Sequence, residues 1–300
     1  MRKHPCLPPA AVHEFESRPT SWPIQPESLL RHLRVESQEI LWLTAQTTGK
    51  SLQIVPDSGL STRAAVRVAR ANDAHHVLAY NPEYERYLDY LIAHECGHLL
   101  RLWSVPAPER FLPSITAGQR RLVNRRLLPE VQERIPLFPA QAVKEVLFIW
   151  HAGIVRQVTN YPVDLRIEQW LFQGYPSMHP LQAEALRRQV QEDQVVLVPE
   201  IRLFTPRCVH EASAIMNCAF ARRVLEILGD SSLALPYASR LSEAANELLS
   251  ILDGNGENNY RGDVVVINRW AERLGIRDWY AWVRMDELRN GVQGNPKLER

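Results

Sequence analysis

Leu91 to Trp103 leave almost no polar face, so a helix formed there must lie in the interior of the fold. Set into that stretch are His94, Glu95 and His98, in the pentapeptide His94-Glu95-Cys96-Gly97-His98, an H-E-x-x-H motif. Residues four apart on a helix stand one above the other, so both imidazoles face one way and Glu95 lies beside them. Such a pair can grip one metal ion, and a glutamate in an apolar setting needs a partner. Three fixed residues in five arise by chance in roughly a few shuffles per hundred. The surroundings therefore decide what the motif means.

Those surroundings are consistent with a long helix. Asn81 suits an N-cap, Pro82 the first helical position, and Glu83 and Glu85 place negative charge near the positive end of the helix dipole. Tyr84, Tyr87, Leu88, Leu91, His94, Glu95, His98 and Leu102 recur at three- and four-residue intervals, with Glu85, Arg86 and Asp89 on the wet side. The spacing predicts a helix from residue 82 to about residue 103. Upstream, Pro26 to about Thr47 carries helical periodicity, and short runs follow at Leu52 to Val55, Ala64 to Ala69 and His76 to Tyr80. Turn-forming Pro56-Asp57-Ser58-Gly59 and Ala71-Asn72-Asp73 separate the runs. The order is a helix, a small three-stranded sheet, then the motif helix. That order, with H-E-x-G-H after the last strand, resembles the minimal zincin core of HExxH zinc metallopeptidases. It is similar to ImmA/IrrE-type and SprT-type proteases over about residues 26 to 103. The implied fold class is α+β and mostly helical, with a helical insertion and a helical C-terminal module.

Catalytic zinc usually takes three protein ligands and keeps a fourth position for water. The metzincin continuation is absent, because Arg101 and Ser104 occupy its Gly and His positions. Asn160 to Leu171 reads as a separate helix, capped by Asn160 with Pro162 in its first turn, and Asp164 and Glu168 share a face at i, i+4. Two carboxylates one turn apart suit a ligand plus an acceptor that orients a motif histidine. Resemblance to gluzincins implies Glu168 as the third zinc ligand with Asp164 behind it. In gluzincins an Asp commonly follows the ligand Glu, whereas here Asp164 precedes it, so the two roles can be exchanged, as in Asp-ligated zincins. Glu145 and His151 are the alternative ligands.

The chemistry expected of such a site is hydrolysis of a peptide bond by zinc-activated water, with Glu95 as general base. An oxyanion donor besides the metal is expected from His151 or Tyr161, with Tyr175, His179 and His210 as further candidates. In zincins the strand before the motif helix is the edge on which an extended peptide pairs. That strand would be His76 to Tyr80, with Val77, Leu78 and Ala79 binding substrate.

The near-balanced charge of +1 points to no nucleic-acid partner, and no apolar run reaches membrane-spanning length. The start, Met1 to Pro9, lacks the apolar centre of a signal peptide, and Cys6, Cys96, Cys208 and Cys218 form no C-x-x-C pair, so a cytoplasmic protein with free thiols is expected. Residues 1–25 read as a Pro-rich extension, 26–200 as the catalytic domain with an insertion at 104–158, and 201–300 as a helical module packed on it. Asp263 can cap a helix running to Leu274. Arg120, Arg121, Arg125 and Arg126 read as a solvated, salt-bridged helix face. Trp270, Trp279, Tyr280 and Trp282 either fill a core or dock a protein partner. The whole suggests a regulatory or defence-type intracellular endopeptidase. The alternatives are a non-catalytic module in which zinc is structural, or a zinc hydrolase of a non-peptide amide.

Overall fold

The computed structural model of this chain describes residues 32–70, 72–134, 139–230 and 236–287. The Pro-rich extension, Cys6 and the first residues of the expected 26–47 helix lie outside them. The fold is α+β and mostly helical. Among the described residues, no helix is long and apolar enough to cross a membrane.

Helix α1 (Val35–Thr48) turns Ser37, Ile40, Leu41 and Thr44 inward at i, i+3, i+4 and i+7, and packs on the motif helix. It stops at Gly49, whose φ of 71° is the left-handed conformation that glycine adopts without strain, and whose N–H bonds Ala45 O. Strands β1 (Ser51–Pro56), β2 (Ala64–Arg67) and β3 (His75–Tyr80) follow. They pair in the order β1-β3-β2, with β1 parallel and β2 antiparallel to β3. Leu52 and Ile54 of β1 and His76, Leu78 and Tyr80 of β3 alternate into the core.

The chain then forms a 3₁₀ turn at Pro82–Tyr87, with the Asn81 side chain accepting from Glu83 N as expected of a cap, before helix α2 (Leu88–Trp103) begins. Asp89, expected on the wet side, instead accepts from Arg34 N and Ser37 Oγ at the start of α1, which ties the two helices together.

Strand β4 (Phe111–Ser114) and helix α3 (Ala117–Arg134) lead to α4 (Ala140–Gly174), a single helix of 35 residues. Asn160 and Pro162 predict a break at Asn160. The helix runs straight through. Pro162 forfeits one backbone hydrogen bond, a cost of about 3 kcal/mol in an isolated helix. Here Val155, Val158, Val163, Leu165 and Ile167 are buried around it, and their packing outweighs the loss.

The rest is helical: α5 (His179–Asp193), the short α6 (Pro199–Phe204), α7 (Arg207–Leu228), α8 (Ser239–Asp253) and α9 (Tyr260–Arg273). Helix α7 packs on α4, α8 on α7, and α9 on both α4 and α8. Strand β5 (Ala281–Arg284) then pairs antiparallel with β4, from Phe111 opposite Arg284 to Ser114 opposite Ala281. This two-stranded sheet, which no local sequence pattern marks, ties the insertion to the C-terminal end.

Three of the four aromatics near the C-terminal end are interior, and Trp282 is half-buried. Trp270, Trp279 and Tyr280 are buried, the Trp270 indole donates to Leu248 O, and Tyr280 and Trp282 both bond Asn268 Oδ1. Asp263 does not cap α9, because Asn259 accepts from Gly262 N in that role. Asp263 instead sits inside the helix, fully buried. It takes both arms of Arg101 from α2, Nε at 2.6 Å and Nη2 at 2.7 Å, together with Arg166 Nη1 from α4 at 2.8 Å. One carboxylate on α9 thus ties the motif helix α2 to α4.

Candidate metal centre

Every residue of α2 from Tyr90 to Leu102 is buried except His94, Glu95 and His98. The motif is therefore the one opening in that stretch of an otherwise sealed helix, a place where a small ligand can reach polar groups from solvent.

Helix α4 crosses α2 at Gly97. A Cβ there would stand 2.7 Å from Ile167 Cγ2 and 3.1 Å from Ile167 Cγ1, so only glycine allows the helices to come this close. The approach carries Asp164 to the histidines. Its Oδ1 lies 3.1 Å from His98 Nε2 and 3.6 Å from His94 Nε2, and the two Nε2 atoms are 3.2 Å apart. These three atoms are the metal-competent group among the described residues. Ligand atoms about 2.0–2.1 Å from a tetrahedral zinc stand about 3.3–3.4 Å from one another. The three measured edges bracket that spacing.

Glu168, one turn further along α4 and fully buried, meets His94 from behind. Its Oε1 lies 2.7 Å from His94 Nδ1 and also accepts from Tyr90 Oη at 2.7 Å, while Gln182 Nε2 donates to Oε2 at 2.7 Å. With Nδ1–H donated to Glu168, the lone pair of His94 sits on Nε2 and faces the other two atoms. The two carboxylates therefore stand in the opposite order to the gluzincin-like expectation. The cause is the direction of the crossing: α4 runs back along α2, so Asp164 falls opposite His98 while Glu168 falls nearer Tyr90. Neither Tyr90 nor Gln182 was singled out from the sequence. Tyr90 carried a signal, its i−4 spacing from His94, but Gln182 carried none.

The donor set fits a divalent cation. Asp164 Oδ1 is buried and makes no hydrogen bond, although it lies between two imidazoles. Burial alone would raise the Asp164 carboxyl, but His94 and His98 hold it down at about 2. Burial alone would lower the His94 imidazole, but the Asp164 and Glu168 carboxylates beside it hold it well above its ordinary value. Two carboxylates this deep need positive charge between them. A divalent ion at the three facing atoms would supply it.

Glu95 is half-buried, with no hydrogen bond or ion pair among the described residues, and so is free to handle a proton at the opening. Other expected site residues lie elsewhere. His151 is fully buried with Nε2 bonded to Trp279 O at 2.7 Å, and it stands 13 residues before Asp164, about 20 Å along the helix. It serves neither as ligand nor as oxyanion donor. Glu145 is exposed and bonded to Gln141. Tyr161 lies on the same face as Asp164, but its hydroxyl is directed to Asp193 and Asn217. Tyr175 packs edge-on against Trp170, His179 stacks on Phe172 and bonds its carbonyl, and His210 bonds Val196 O.

The substrate-strand expectation is also corrected. Strand β3 is central, and Val77, Leu78 and Ala79 pair with β1 on one side and β2 on the other, so their edge is not free to take a peptide. The outer strands of this sheet are β1 and β2.

Gly97→Ala tests the helix crossing. The added methyl forces α2 and α4 apart, an overpacking cost of about 1–3 kcal/mol, while helix propensity returns about 1 kcal/mol. Stability should fall only slightly, whereas zinc affinity measured by chelator competition should drop clearly. Unchanged affinity would show that the Gly97 contact does not set the ligand spacing.

Comparison with protein-family models, curated proteins and solved structures finds no match to this chain.

Proposed function

We propose that this protein is a zinc-dependent endopeptidase in which His94, His98 and Asp164 hold the metal and Glu95 acts as general base. The observation that carries the reading is the triangle of two Nε2 atoms and Asp164 Oδ1, with edges of 3.1–3.6 Å, set at the only opening of α2 between Tyr90 and Leu102. Bound zinc would supply a Lewis acid that acidifies water and polarises a carbonyl. The chain's own residues do the remaining work. Glu168 fixes the His94 tautomer and is itself fixed by Tyr90 and Gln182. Glu95 takes the proton of the attacking water and returns it to the departing amine. Three protein donors and an opening to solvent suit a catalytic zinc better than a structural one, which is closed by four ligands.

Metal analysis of the purified protein tests this reading. Wild type is expected to hold one zinc per chain and Asp164→Ala to lose it. Glu168→Ala, which removes only the group behind His94, should weaken binding by about 10–100-fold. Full zinc retention in Asp164→Ala, or a wild type that binds none, would sink the assignment.

A further inference from the structure

Of the nine large apolar side chains that stand exposed among the described residues, five lie within ten positions: Val195, Val198, Ile201, Leu203 and Phe204, at 39–60% exposure. They belong to helix α6 (Pro199–Phe204) and the turn before it. No residue of α6 is buried. A six-residue helix is too short to persist alone, and helices in proteins are held mostly by the apolar face they bury. Packing within this chain therefore does not account for the apolar composition of α6.

Polar contacts hold the helix in place instead. Arg134, at the end of α3, donates from Nη1 to Leu203 O at 2.5 Å and to Arg202 O at 3.4 Å, satisfying carbonyls that the helix end leaves open. Arg134 is held in turn by Glu130 Oε1, which also accepts from Arg207 N at the start of α7. Thr205 N bonds Ile201 O, and Thr205 and Pro206 are buried. The ledge is fixed before anything covers it, so covering it orders little further.

Its geometry and charge narrow what can cover it. Ile201 and Phe204 share one face with the capping Val198, at i, i+3 and i+6, and Val195 precedes them by one turn, while Leu203 falls on the opposite side. Glu200 and Arg202, two residues apart, stand about 200° from each other around the helix, one on each flank of the Ile201 line. Neither makes an ion pair among the described residues. Arg134 is paired with Glu130 and Arg207 with Glu211, so the surroundings lack the basic excess that draws a helix to an anionic lipid surface. The ledge is instead complementary to itself. Two such helices side by side and parallel, related by a two-fold axis along their length, set Glu200 of each against the partner's Arg202, whereas an antiparallel pair sets like charge against like. Val195, Val198, Ile201 and Phe204 leave on the order of 300 Å² of apolar surface open per copy. With interfaces about 60% apolar, two copies would bury about 1,000 Å² in all, enough for a specific pair of modest affinity.

We infer that α6 is the contact of a homodimer, in which two copies meet along the Ile201 line about a two-fold axis parallel to the helix. Ile201 meets the partner's Ile201 at the centre, and two Glu200–Arg202 pairs close the flanks.

The test is the mass of the full chain in solution, by light scattering and analytical ultracentrifugation over a concentration series. Wild type should be a dimer, twice 34.5 kDa, at micromolar concentrations. Ile201→Asp sets two carboxylates against each other on the axis and should raise the dissociation constant about 30-fold or more, the scale of a central contact. Ile201 is exposed in the single chain, so circular dichroism and the urea midpoint of the diluted variant should match wild type. Glu200→Arg places arginine against the partner's Arg202 on both flanks and should weaken the dimer about tenfold. Adding Arg202→Glu to it should restore wild-type affinity. A wild type that stays monomeric throughout overturns the inference, as does a dimer indifferent to Ile201→Asp. Failure of Arg202→Glu to rescue Glu200→Arg overturns the parallel pairing. A monomer that sediments with vesicles of phosphatidylcholine and phosphatidylserine assigns the ledge to lipid and overturns the dimer.

Discussion

Glu95→Gln is expected to bind zinc as tightly as wild type and to cut peptides about 10²–10⁴-fold more slowly, the usual worth of a positioned general base. Glutamine matches glutamate in size and fits the same half-buried place on α2, so the helix and its two imidazoles should stay where they are. What disappears is the ability to accept a proton beside His94 and His98. Turnover of a cleavable peptide and zinc content, measured on one preparation, give the answer. Undiminished turnover would mean that Glu95 is a bystander and that another group takes the proton. Loss of zinc would mean that Glu95 belongs to the coordination set, which the triangle with Asp164 does not require.

Asp263→Ala should be the most damaging single change away from the opening. Arg101 is 1% exposed, and its guanidinium is held by both oxygens of Asp263, which also takes Arg166. Removing the carboxylate leaves buried cations facing each other with no counter-charge, a loss of about 3–5 kcal/mol in similar sites. Urea unfolding of the two proteins measures it directly. Because Arg101 follows His98 by three residues and Arg166 follows Asp164 by two, the damage should also reach zinc affinity. A change below about 1 kcal/mol would show that α2 and α4 are held together by apolar packing alone. The double replacement Arg101→Met with Asp263→Leu should recover part of the loss, since a well-packed apolar pair can replace a buried ion pair.

The parts of this protein that could be read from its sequence are those governed by local rules. Asn81 caps, Ile40, Leu41 and Thr44 keep helical period, and the three short runs before the motif each form a strand, because each signal depends on neighbours within a turn or two. The motif histidines were legible for the same reason: i, i+4 spacing places them without knowledge of anything else. The third donor was not, since the order of Asp164 and Glu168 around the histidines depends on which way α4 crosses α2, and that is set by the Gly97–Ile167 contact between residues 70 positions apart. Pro162 misled for a related reason, as its local cost was offset by packing from other helices. The central position of β3, the β4–β5 pairing across most of the chain and the conversion of Asp263 from an expected cap to a buried tie are all long-range outcomes. Periodicity carries no information about them.

Between Tyr90 and Leu102 of α2, solvent reaches only three neighbouring side chains, which has a kinetic corollary. If ion and peptide share that approach, a peptide lodged across it bars the ion's exit. Stripping by a chelator should then slow as peptide is added, and reloading should have to wait for the approach to clear.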